Sequence, residues 1–98
     1  MHNPFHPGEF IEEVYLKPFG QSGRYLAEKL DVSPSTLHRV LRQQSSVTPD
    51  MALRLSIVLG RTPESWLMMQ DQYDLWHAKQ RLDLNRVPQI DFAGQPES

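Results

Sequence analysis

Five polar side chains in the middle of the chain, Ser35, Thr36, His38, Arg39 and Arg42, stand at helical spacing and offer hydrogen bonds to a nucleic acid. At about 100° per residue, Leu37, Val40 and Leu41 fall on one face of such a helix, while Ser35, Arg39 and Arg42 form a ridge on the other. Thr36 and His38 flank that ridge. A guanidinium fork matches the paired acceptors of guanine, and hydroxyls adapt to several base edges. Ser35, Thr36, His38 and Arg39 are therefore the candidates for reading bases in a major groove, with Arg39 foremost. Arg42, Gln43 and Ser45 lie toward the helix exit and are placed to meet phosphate. Ser22, Gly23 and Arg24, at the start of the preceding helix, add backbone N–H donors for another phosphate. An outward ridge of this kind is also what an ordinary solvated helix face presents, so the surrounding elements decide its meaning.

No other constellation supports a reaction. The chain has no cysteine, which excludes disulfide frameworks, thiolate zinc sites and cysteine nucleophiles and is compatible with a reducing cytoplasm. His2 and His6 are four apart, but Pro4 and Pro7 deny them a common helix, and the N-terminus is expected to be flexible. His6 with Glu9 and Glu13 imitates a metal cluster, yet carboxylates on the surface of a first helix are ordinary. Glycine loops that cradle phosphate and nucleophile elbows are absent. The expectation is no metal, no cofactor and no enzyme.

Ninety-eight residues suffice for one small domain, and 39% hydrophobic with 22% charged residues is ordinary globular composition. The longest apolar run is the four residues from Trp66 to Met69, so no signal peptide or membrane span is expected and the cytoplasm is the default location. The net charge of −2 conceals a pattern. Lys17 to Arg61 carries +4, and the segments before and after it carry −3 each. A basic middle between acidic ends suggests one surface for an anion and others for something else.

The elements are short helices. Ser33-Pro34, Thr48-Pro49 and Thr62-Pro63 each put a capping hydroxyl before a proline suited to the first helical position. The apolar residues that follow keep helical spacing: Leu37, Val40 and Leu41, then Ala52, Leu55 and Leu59, then Trp66, Met69, Tyr73 and Trp76. Upstream, Pro7 to Leu16 reads as an amphipathic helix with Phe10, Ile11, Val14 and Tyr15 on its apolar face, stopping before Pro18. Ser22 to Leu30 reads as a second helix with Leu26, Ala27 and Leu30 inward and Ser22 as cap. The fold class is therefore all-α, a compact five-helix domain over residues 1–80. Residues 81–98 read as an extended or frayed tail.

The connection Asp31-Val32-Ser33 is short enough to force a steep crossing, as in a helix-turn-helix. The run from Leu26 to Leu41 resembles the helix-turn-helix of the phage-repressor-like (XRE) DNA-binding proteins. His6-Pro7-Gly8-Glu9, the run from Thr48 to Leu55, and Trp66 to Gln70 with Tyr73 to Trp76 are similar to the HigA-type antitoxins. The resemblance covers about Phe5 to Ala78. Two departures stand out. Asp31 occupies a turn position usually held by glycine, which is tolerable because Asp enters the left-handed region more easily than most residues. Gln43-Gln44-Ser45-Ser46 replaces a loop that is often Asn-Gly with basic residues.

The resemblance implies a transcriptional repressor that binds double-stranded operator DNA. It also implies an antitoxin of a HigBA-type module, one that neutralises a ribonuclease toxin and autoregulates its operon. Two alternatives remain open: a solitary helix-turn-helix regulator, and a protein-interaction module using the aromatic fifth helix. Trp66, Leu67, Met68 and Leu75 spread around that helix beyond what a domain this small can bury, and they are the expected interface of a homodimer.

Overall fold

The computed structural model describes residues 3–93. Its helices are α1 (Pro7–Ile11), which runs on as a π-helical segment (Glu12–Leu16), then α2 (Gly23–Leu30), α3 (Pro34–Leu41), α4 (Pro49–Val58) and α5 (Pro63–Arg81). Among the described residues there are no strands.

Each helix begins where its capping residue dictates. Ser22, Ser33, Thr48 and Thr62 sit in extended backbone, and their hydroxyl oxygens accept from the N–H three residues on, Tyr25, Thr36, Met51 and Ser65. Pro34, Pro49 and Pro63 follow three of these caps, each in the first turn of its helix. Asp31 ends α2 in the left-handed conformation, φ 60 and ψ 46, with its N–H turned back onto the Ala27 and Glu28 carbonyls. An aspartate thus does what the turn normally asks of glycine.

One core joins all five helices. Ile11, Leu16, Leu26, Ala27, Leu30, Leu37, Val40, Leu41, Val47, Met51, Ala52, Leu55 and Trp66 are buried together, and Val32 and Leu59 pack against them half-buried. The first helix departs from a regular amphipathic pattern. Val14 is 41% exposed while Leu16 is buried, because the backbone between them closes i→i+5 hydrogen bonds, Lys17 N–H to the Glu12 carbonyl among them. The wider π turn brings Leu16, five residues after Ile11, to the core side that a 3.6-residue repeat assigns to Val14.

The N-terminus also differs from a flexible lead-in. His6 is 2% exposed and caps α1, its Nδ1 accepting the Gly8 N–H at 2.9 Å. His2 lies outside the described residues.

On α5 the inward residues are Trp66 and Gln70, with Met69, Tyr73 and Trp76 half-buried. Trp66 is fully buried and its Nε1 donates to the Gly60 carbonyl, so it belongs to the core and cannot serve a dimer face. Beyond Arg81, residues 82–93 carry no helix and are exposed, and the molecule reaches principal extents of 61 × 23 × 22 Å.

Candidate nucleic-acid interface

The helix-turn-helix pair is α2 and α3. Gly23 on α2 packs against Leu41 of α3: an added Cβ would stand 3.1 Å from Leu41 Cδ1. That closeness brings the N-terminus of α2 beside the outer face of α3. Between them lies a groove of about 440 Å³ lined by Glu12, Gly23, Arg24, Pro34, Ser35, His38, Leu41 and Arg42. Residues 11 to 19 positions apart in sequence thus share one concave surface, with Gly23 and Arg24 on one wall and Ser35, His38 and Arg42 on the other.

The remaining expected contacts are distributed around it. Arg39 is exposed on the ridge of α3 and outside the groove lining, free to enter a space in front of the helix. Thr36 is half-buried, and its Oγ1 accepts the Ser33 hydroxyl at 2.8 Å within the cap. Ser35 Oγ stands 3.3 Å from the same hydroxyl, so both side chains are held by the cap of the helix they would read with. Ser22 is spent on the α2 cap. That cap takes the Tyr25 N–H and leaves those of Gly23 and Arg24 at the helix N-terminus, where the dipole favours an anion.

The exit of α3 is held by groups that periodicity did not reveal. Gln43 is exposed at φ 65, and its N–H closes onto the Val40 carbonyl. Ser45 is half-buried, and its backbone lies near enough to the imidazole of His6 to favour the charged ring. Two residues on, the Val47 N–H donates to Oε1 of the buried Gln70 at 2.8 Å, and Gln70 Nε2 donates to Asp74 Oδ1 at 3.0 Å. The loop expected to meet phosphate is thus tied to α5 through Gln70. Burial in this setting pushes His6 below its ordinary value, against the smaller opposing effects of the Ser45 backbone and the Asp74 carboxylate. The ring edge of His6 meets Tyr73 at 4.8 Å between centroids.

Three further side chains escaped the reading of residue types. Arg54 reaches from α4 to the turn, and Glu12 is an acid in a groove otherwise suited to anions. Arg61 lies over the rings of Phe10 and Trp66 at 5.1 and 5.6 Å, a placement that serves packing. Gln70 had a signal: it falls one turn after Trp66, inside the stripe that was read as apolar. Met68 and Leu75, two turns apart on α5, are each 58% exposed and Leu67 is half-buried.

A family described as "Helix-turn-helix" matches residues 15–67. The chain is 49% identical over 75 residues to virulence-associated protein I of Dichelobacter nodosus, covering 76% of this chain and 69% of that protein. Among solved structures it is similar to antitoxin GraA in complex with its operator, at 45% identity and a TM-score of 0.75, with 82% of this chain and 81% of that chain covered. It is also similar to an addiction module antidote protein of a HigA family from Coxiella burnetii, at 33% identity and a TM-score of 0.82, with 92% and 100% covered. With the caps, the left-handed turn and the close α2–α3 approach in place, this protein belongs to the helix-turn-helix family, as the HigA-type antitoxins do.

Proposed function

We propose that this chain is a sequence-specific DNA-binding repressor and the antitoxin of a HigBA-type module. The observation that carries the reading is the groove between α2 and α3, in which an exposed helix N-terminus and Arg24 stand beside Ser35, His38 and Arg42. Phosphate held at the α2 N-terminus would fix the register of the duplex, and the outer ridge of α3 would then lie along base edges. The likeness to antitoxin GraA, which is solved in complex with its operator, supports operator binding by this chain.

A repressor of this build works on two half-sites, and a homodimer is the assembly that supplies two recognition helices. Met68 and Leu75 on the outer face of α5 support that pairing, with Leu67 at its margin. The toxin partner rests on the likeness to a HigA-family antidote protein. An RNA-cutting toxin is expected to be basic, and the acidic segments flanking the DNA-reading middle suit it. This reading includes no catalytic step, metal or cofactor.

The experiment has two arms. Titration of the protein on duplex DNA from upstream of its own gene should give binding that a scrambled duplex of equal length does not match. Expression of the neighbouring reading frame should arrest growth, and co-expression of this chain should restore it. A harmless neighbour with intact operator binding would leave a solitary regulator, and equal binding to both duplexes would remove the DNA-reading function.

A further inference from the structure

The turn between α2 and α3 is gripped from a third helix. Arg54 Nη1, on α4, donates to the carbonyl oxygens of Leu30 at 2.8 Å and Asp31 at 3.2 Å, and lies 4.0 Å from Asp31 Oδ2. These two carbonyls belong to the end of α2, where backbone acceptors lack partners within the helix and the dipole is negative. One guanidinium supplies both the donors and the charge.

What it grips is the pivot of the motif. Asp31 holds a left-handed conformation that costs a residue with a Cβ more than it costs glycine. Its N–H and that of Val32 close back onto α2, and Ser33, one residue later, caps the recognition helix. The direction in which α3 leaves α2 therefore depends on a two-residue turn whose preceding carbonyls are held by a side chain 23 and 24 residues away. Arg54 does not line the groove that faces the proposed DNA.

We propose that Arg54 is a positioning residue for sequence reading: by holding the Leu30 and Asp31 carbonyls it sets the angle at which α3 is presented, without touching DNA. The proposal rests on the DNA-reading function above. A lysine ammonium could also donate to both carbonyls, but its stem is one bond shorter than the reach to Nη1, so it should replace Arg54 only in part.

The test is a titration of the full chain and its Arg54→Ala and Arg54→Lys variants on operator and scrambled duplexes at several salt concentrations, with circular dichroism confirming helix content. Arg54→Ala should lose about tenfold in the operator-to-random affinity ratio while keeping the wild-type slope of log K against log salt, and Arg54→Lys should recover part of that ratio. If Arg54→Ala does not fold, Arg54→Lys carries the comparison, with a smaller loss expected. A slope lowered by about one unit would make Arg54 a phosphate contact, and an unchanged ratio would make it a brace for stability alone; either overturns the proposal. Should the wild-type chain fail to discriminate the two duplexes, it is the DNA-reading function that fails. The amide chemical shifts of Ser33 and of residues 35–39 then decide on Arg54, and shifts unchanged in Arg54→Ala contradict its positioning role.

Discussion

Gly8 on α1 backs directly onto the carbonyl of Val40 in the recognition helix: a Cβ added to Gly8 would overlap the Val40 oxygen and stand 2.9 Å from Leu41 Cα. Both obstacles are backbone, which cannot swing aside as a side chain would. The glycine of the His6-Pro7-Gly8-Glu9 segment is therefore a packing requirement, and it sets how closely α1 can support α3 from behind. Gly8→Ala is expected to destabilise the fold by about 2 to 4 kcal/mol through overpacking. The fall in denaturant midpoint measures it, and an unchanged midpoint would show that α1 and α3 can part without cost.

His6 gives stability a pH dependence whose sign follows from its burial. Its folded pKa lies below the ordinary 6.5, so between the two values the unfolded chain binds a proton that the folded chain refuses. Stability is then fully present above 6.5 and declines as pH falls toward the folded value. Protonation would also remove the Nδ1 acceptor that caps α1. His6→Asn keeps a capping acceptor without the titration. Chemical denaturation of both proteins between pH 7.5 and 5.5 should show the wild type losing stability faster, and parallel curves would contradict the assignment.

The dimer expectation is tested by Leu75→Glu. Leu75 is more than half exposed on α5, so the substitution should leave the fold intact and lower the sedimentation mass toward that of a monomer. A wild-type chain that is monomeric at tens of micromolar, with a mass that Leu75→Glu does not alter, would contradict the α5 interface.

Helix starts and the outward ridge of α3 were legible in the sequence because each depends on local chemistry. A hydroxyl before a proline fixes where α3, α4 and α5 begin, and the spacing of Leu37, Val40 and Leu41 fixes which way Arg39 and Arg42 must face. Asp31 at the turn could be placed for the same reason. Long-range pairings could not be read. Nothing around Arg54 says that it will reach the end of α2, nor does anything around Gln70 say that it will hold the loop after α3, or around His6 that it will be buried as the cap of α1. The π turn after Ile11 was hidden too, since a helical pattern gives no reason to prefer Leu16 over Val14 until the core beneath is known. Trp66 was read both as core and as interface because an aromatic residue suits either, and only its full burial decides for the core.

The proposed repressor requires α3 to read base edges, and two arginines on the outer side of that helix separate reading from positioning on phosphate. Arg39 faces outward in mid-helix, whereas Arg42 ends the helix beside Arg24 in the groove. The measurement is a binding titration of wild type, Arg39→Ala and Arg42→Ala on operator and scrambled duplexes across a salt series. Arg39→Ala should remove a base contact worth ~1 to 3 kcal/mol and lower the preference for the operator. Arg42→Ala should weaken both duplexes about equally and lower the slope of log K against log salt by about one unit. An operator-to-random ratio left intact by Arg39→Ala would contradict α3 as the reading helix.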